Sequence, residues 1–422
     1  MGSKKILVIF GATGDLIKTK ILPALFEINK KDKTFSHVIA YGRRELNNQS
    51  YYEFIQNNVY KYNNEFLKKL SYIKGELDEE TGYNQIKEFI LHQCRNVKKC
   101  TINFYIPLSP KYYEIVLANI QKKFADLNFR IALEKPLGGS LKHAHELIEF
   151  INNFDLENKT YLVDHYLGKP SVLNLLNLPK NEGECLRDIS HLRKLEIDFL
   201  EAKDVSHRGE FYDHVGALRD VGQNHLLAIL ASFLVDHNLE ESGSIRRMNI
   251  LRELHYKKDS IKSGQYEGFK DELGVTKNSQ TETYFEFELA CDNNPGLEIT
   301  LRAGKALASS WVGIKAEYTD KMKVEIGIEP DTSFRLEGEI NHEIQENKKC
   351  WENLKKISWP TSGIHAYEVI LKDFLSNDWQ SSLGALEVRE TWRITEEIMK
   401  DMKNSKLHIY EKGSPVERII ND

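Results

Sequence analysis

The chain opens on an unbroken apolar run, Ile6-Leu7-Val8-Ile9-Phe10, the pattern of a strand buried on both faces of a parallel sheet. A glycine turn follows. Then Leu16, Ile17, Ile21, Leu22, Leu25 and Phe26 recur at the spacing of one helix face. Pro23 lies inside that helix and is expected to kink it. His37–Gly42, Thr101–Ile106 and Arg130–Glu134 read as further strands. Strands alternating with helices predict a doubly wound parallel sheet.

Beyond about residue 165 the period changes. Leu195–Leu200, Thr281–Leu289, Leu297–Arg302 and Lys323–Ile328 alternate apolar and polar positions, as antiparallel strands with one wet face do. Ala217–Phe233 and His365–Leu375 read as helices, and residues 237–280, polar and rich in Gly and Ser, as long loops. The fold expected is an α/β Rossmann-type dinucleotide-binding domain over residues 1–165, followed by an α+β domain with a large, mainly antiparallel sheet over 166–422.

Charge narrows the partners. Lys plus Arg is 58 and Asp plus Glu 63, a net charge of -5, which gives no general attraction to nucleic acid or an acidic membrane. The five cysteines are scattered with no Cys-x-x-Cys pair, so reduced thiols are expected rather than disulfides or a structural zinc site; no metal site is expected. The apolar start is too short for a secretory signal, the myristoylation hydroxyl is missing, and Leu226–Val235 falls short of the roughly 20 residues that span a bilayer. A soluble, cytoplasmic protein is expected.

Five stretches carry possible chemistry. Gly11-x-x-Gly14-Asp15-Leu16 sits between a strand and a helix, where glycines admit a pyrophosphate to the backbone and the helix N-terminus favours its charge. Arg43-Arg44 follows the second strand, where an NAD-binding unit usually offers an acid to the ribose. Arginine suits the 2′-phosphate of NADP instead, and two solvated arginines are the alternative. Glu134-Lys135-Pro136-Leu137-Gly138 ends a strand, so Lys135 is placed for substrate or cofactor, or for an ordinary loop. Asp164-His165-Tyr166-Leu167-Gly168-Lys169 gathers groups able to hold a phosphate, with Asp164 able to orient a second histidine. His225, in Arg219-Asp220-Val221-Gly222-Gln223-Asn224-His225, fits a general base or a satisfied core histidine.

Taken together these motifs resemble the glucose 6-phosphate dehydrogenase family over most of the chain. The resemblance rests on Gly11–Leu16 with Pro23, Phe104-Tyr105 with Ser109-Pro110, Glu134-Lys135-Pro136, Asp164–Lys169, Arg219-Asp220 with Gln223-Asn224-His225, and Arg302-x-Gly304-Lys305. It implies oxidation of glucose 6-phosphate at C1 to 6-phosphoglucono-1,5-lactone with hydride transfer to NADP. His225 would be the general base and Asp164 its carboxylate partner. His165, Tyr166 and Lys169 would clamp the 6-phosphate, while Glu201, Asp220 and Lys305 would bind sugar hydroxyls. Lys135 would touch substrate and cofactor. Gly11, Thr13, Gly14, Asp15, Leu16, Arg43 and Tyr113, with Lys20, would line the cofactor cleft. The second domain would also carry dimerisation, giving a homodimer or homotetramer.

The chain departs from the family in places. Ser310 stands where a second basic residue usually follows the Arg-x-Gly-Lys turn, with Lys315 further on. The basic and aromatic cluster of a second, structural NADP site is not evident, and none is expected. Two rival readings are the same chemistry with NAD as preferred or equal acceptor, and a non-catalytic sugar-phosphate sensor.

Overall fold

The apolar runs of the first third do form parallel strands. The structure, a computed structural model, describes residues 4–32, 34–94, 96–178, 180–235, 241–338, 345–357, 359 and 365–419. It divides into two compact units. The first is the chain up to Gly168 together with the segment ending at Ala385; the second takes up from Lys169 and again from Leu386.

In the first unit six strands are mutually parallel: β1 (Lys4–Phe10), β2 (His37–Gly42), β3 (Leu70–Lys74), β4 (Cys100–Ile106), β5 (Phe129–Leu133) and β6 (Thr160–Val163). Their order is β6-β5-β4-β1-β2-β3. The winding reverses between β1 and β4, the place where open α/β sheets leave a crevice. Every residue of β4 is buried, which explains why these strands read as continuous apolar runs rather than alternating ones. Pro23 lies in the first turn of the α-helix Leu22–Asp32, directly after a π-helical turn, Ile17–Ile21. The wider turn makes room for a ring that can neither donate nor tolerate the carbonyl four residues back.

The single boundary near residue 165 needs correction. A late segment returns to the first unit: the helix Ala366–Ser376 puts Tyr367, Ile370, Leu371, Phe374 and Leu375 into its core, and Ser382–Leu383 pairs antiparallel with β6 as an edge strand. Chain order alone does not show such a return.

The second unit is built on a nine-stranded sheet. Its strands are β7 (Leu192–Leu200), β8 (Leu254–Tyr256), β9 (Lys262–Tyr266), β10 (Tyr284–Cys291), β11 (Glu298–Gly304), β12 (Trp311–Tyr318), β13 (Lys323–Glu329) and β14 (Ser333–Glu337), with a last strand Leu407–Tyr410. The order is β14-β13-β12-β7-β11-β10-β9 and then Leu407–Tyr410, with β8 also on β10. Most pairings are antiparallel; β7 with β11, and β9 with the last strand, run parallel. The segment read as long loops between 237 and 280 instead carries the helix Gly243–Arg252, β8 and β9 among its described residues.

The cysteines also need correction. Cys94 is bonded to Cys100 and Cys185 to Cys350, and Cys291 is a buried free thiol. Residues 165 apart in sequence meet in the second pair, so spacing gave no sign of it. Among the described residues, no helix is long and apolar enough to cross a membrane.

Candidate active site

In the first unit, five chemistry-bearing segments lie at the carboxyl ends of neighbouring strands. Gly11 to Leu16 follow β1, Arg43 follows β2, Ser109-Pro110 come shortly after β4, Lys135 follows β5, and Asp164-His165 follow β6. All leave the same edge of one parallel sheet, the edge at which such sheets bind ligands.

The glycine turn is built for close approach. Gly11 holds φ +63°, a left-handed conformation, and a Cβ there would meet Leu108 Cδ2 at 3.0 Å. The Gly14 amide donates to the Gly11 carbonyl at 2.9 Å, and the Ala12 amide to the Tyr41 carbonyl at 3.1 Å, which ties the turn to β2. Gly14 and Asp15 are exposed and Thr13 and Leu16 half-buried, so the turn faces outward. The Lys18 ammonium, 2.6 Å away, holds the Asp15 carboxyl below the usual carboxylate range, and Arg44 adds to the effect. Arg44 itself lies 5.7 Å from the centre of the Phe54 ring, while Arg43 is exposed with no partner among the described residues. Lys20 is exposed in the π-turn. An open glycine turn with an available guanidinium at the next strand end fits a dinucleotide.

The Lys135 loop is held from beneath. Glu134 is buried, its Oε1 accepts a hydrogen bond from the Tyr105 hydroxyl, and its carbonyl accepts one from the Tyr113 hydroxyl. Burial pushes the Glu134 carboxyl up to about 7, with the Tyr105 hydrogen bond opposing the shift. Tyr113, expected to line the cofactor cleft, is 1 % exposed, and its hydroxyl supports the loop through the Glu134 carbonyl. Lys135 is half-buried beyond a cis peptide bond to Pro136.

Asp164 is buried, and its Oδ1 accepts the Tyr166 amide at 2.9 Å, which closes the turn after β6. The His165 ring stacks on Tyr367 at 5.6 Å and 10°. Tyr166, expected in the phosphate clamp, is 3 % exposed. Gly168 is where it is because a Cβ would stand 2.7 Å from the Ala366 carbonyl. Tyr367 was not singled out in the sequence; its only local signal is its place on the apolar face of its helix.

In the second unit, Glu201 and Lys305 follow the parallel neighbours β7 and β11 and form an ion pair. The Lys305 ammonium also lies 5.5 Å from the Tyr212 ring centre. Asp220 and His225 lie on a π-helix, Leu218–Leu226, a rare geometry that recurs at functional sites. It is anchored on both sides. A Cβ on Gly222 would stand 2.8 Å from Phe285 Cζ, and Gln223 donates to Thr391 Oγ1 at 2.9 Å. His225 is 1 % exposed, its backbone amide donates to Asn224 Oδ1 at 2.7 Å, and its ring lies parallel to Phe199, 13° off and 6.2 Å away. Lys169 caps the helix Pro170–Asn177 and is ion-paired with Glu329, a residue the sequence did not single out. Ser310 Oγ accepts the Ala202 amide at 2.8 Å. Lys315 does not replace the missing base there. It lies five residues along β12, over the Trp311 ring at 4.7 Å and 3.7 Å from Asp198 Oδ2.

A glycine turn, a basic second strand end and a loop lysine around the switch point define the class: an oxidoreductase built on a nicotinamide-dinucleotide fold. The comparisons agree. The model of the glucose-6-phosphate dehydrogenase NAD-binding domain matches residues 8–174, and that of the C-terminal domain residues 184–418. Glucose-6-phosphate 1-dehydrogenase of Helicobacter pylori strain 26695 is 30% identical over 97% of this chain and 96% of its own. A glucose-6-phosphate dehydrogenase solved with glucose-6-phosphate has a TM-score of 0.86 at 24% identity, covering 100% of this chain and 98% of that one. The Mycobacterium avium enzyme has a TM-score of 0.82 at 26% identity, covering 98% and 95%. The chain belongs to the glucose 6-phosphate dehydrogenase family and oxidises glucose 6-phosphate, the first step of the pentose phosphate route.

Proposed function

We propose that the acceptor is NADP and that His225 and Asp164 act together on the C1 hydroxyl. The observation that carries the coenzyme reading is Arg43: an exposed guanidinium without a partner among the described residues, at the strand end where the adenosine ribose is recognised. A bound nicotinamide dinucleotide supplies the hydride acceptor. His225 takes the hydroxyl proton as C1 becomes a carbonyl carbon, which raises electron density on the oxygen and helps the hydride leave. Asp164 orients the imidazole and balances the charge it gains. Phe199 and the hydrogen bonds of the π-helix hold His225 in place. Lys169 and His165 bind the 6-phosphate, and Glu201, Asp220 and Lys305 the sugar hydroxyls. The phosphate is remote from C1, so its binding energy positions the reacting carbon. The product is 6-phosphoglucono-1,5-lactone, and the working protein is a soluble homodimer or homotetramer. Turnover of glucose 6-phosphate followed by absorbance of the reduced nicotinamide, with NADP and NAD in parallel, tests the reading. A higher kcat/KM with NADP is expected; equal or higher values with NAD overturn the coenzyme assignment.

A further inference from the structure

The carboxyl ends of β7 and β11 and the end of β13 point the same way. Trp311, which opens β12, pairs with Leu200 on one side, and Val312 pairs with Glu329 on the other. Lys305 and Lys169 stand at this end of the sheet, and each already holds a carboxylate: Lys305 pairs with Glu201 and Lys169 with Glu329. Between them lies Ser310, neutral and occupied by the Ala202 amide. A phosphate dianion arriving here meets lysines whose charge is already matched.

The Lys169–Glu329 pair is built into the fold. Ser171 Oγ, in the first turn of the helix that Lys169 caps, donates to the Gly327 carbonyl at 2.5 Å, which fixes the helix start against β13 two residues before Glu329. Gly327 has no room for a side chain, since a Cβ would stand 2.4 Å from Ser333 Oγ. Lys169 is 19% exposed and Glu329 39%, so the pair is only partly open to water.

We infer that Glu329 competes with the substrate's phosphate for Lys169 and so sets the affinity of the phosphate subsite. The inference rests on the reading of Lys169 as a phosphate anchor. To bind, the phosphate displaces the Glu329 carboxylate or shares the lysine with it. Either route costs the ion pair. Glu329 is thus a specificity-determining residue that lowers affinity for the phosphate end without acting on C1.

The test is a double-mutant cycle on the full chain, with the Kd of glucose 6-phosphate measured by calorimetry for wild type, Glu329→Gln, Lys169→Ala and the double variant. Glu329→Gln is expected to tighten binding by about three- to tenfold. On the Lys169→Ala background the gain should largely vanish. Glu329→Asp, which keeps the charge on a shorter stem, should fall between wild type and Glu329→Gln and shows whether the position tolerates change. Unchanged or weaker binding in Glu329→Gln overturns the inference. So does a gain that survives loss of Lys169, because Glu329 would then act through its field alone. Lys169→Ala binding as tightly as wild type instead defeats the reading of Lys169 itself, and the absence of wild-type turnover would defeat the catalytic reading separately.

Discussion

Arg43 and His225 carry the two assignments most open to a single substitution. Arg43→Ala should lower kcat/KM with NADP by roughly ten- to a hundredfold, the loss of a charge-assisted hydrogen bond of about 1.5–3 kcal/mol, and leave NAD little affected. Equal losses for both coenzymes would mean the loop does not read the 2′-phosphate. His225→Asn should cut kcat by about two to four orders of magnitude at nearly unchanged substrate Kd, the range for a general base. A kcat within about threefold of wild type would remove His225 from the role. Glu134 makes a pH prediction. Its carboxyl is raised from 4.5 to about 7 by burial, so the folded state holds a proton that the unfolded chain releases earlier. The stability this contributes is full below about 4.5 and is lost as pH rises through about 7. Glu134→Gln cannot ionise, so its Tm relative to wild type should climb between about pH 5 and about pH 8; parallel Tm curves would show that Glu134 is already ionised in the fold. Of these residues the sequence offered Arg43 and His225 through motif position, and the resemblance alone assigned Glu201 and Lys305. It was silent on Tyr367 and Glu329, whose meaning comes from partners far along the chain, 160 positions away in the case of Glu329.

At the scale of elements, the best-marked pieces were those whose burial is uniform or strictly alternating. β1, β2, β4 and β5 could be read from apolar runs, and β7, β10, β11 and β13 from period two. The π-helical turns left no pattern of their own, because a five-residue hydrogen-bond step is set by Pro23 in one case and by packing against Phe285 and Thr391 in the other. The helix Gly243–Arg252 was missed because its buried face is Arg247, Met248 and Leu251, and a buried arginine reads as a surface residue. Arg247 is fully buried and paired with Glu387 through Nε to Oε1 at 2.8 Å and Nη2 to Oε2 at 3.1 Å, which joins that helix to the long helix Ala385–Met402. Arg247→Met should cost about 3–5 kcal/mol in chemical denaturation, since it leaves a buried carboxylate uncompensated. Replacing both residues by Met should recover most of that loss. A single variant within about 0.5 kcal/mol of wild type would show the pair to be idle.

For the whole molecule, the two disulfides have unequal reach. Cys94–Cys100 closes a loop of a few residues, whereas Cys185–Cys350 spans 165. Loop-closure entropy assigns about 2 kcal/mol to the first and about 5 kcal/mol to the second. Under oxidising conditions Cys185→Ser should therefore lower Tm clearly more than Cys94→Ser, and reductant should abolish the difference between each variant and wild type. Equal small shifts would mean that neither bond forms in solution. The sequence could not reveal this layer, because pairing depends on which ends the fold brings together. The same holds for the return of the chain to its first unit. That return has a consequence for how the protein is made. When the first 168 residues have left the ribosome, the parallel sheet still lacks its edge strand and His165 lacks the ring it stacks on, and both are encoded roughly 200 codons later. At synthesis rates of about 5–20 residues per second, the nascent sheet waits about 10–40 s with one edge open, while the second unit is being translated. A cell making this chain has to keep that edge from pairing with a neighbour until its own final piece arrives.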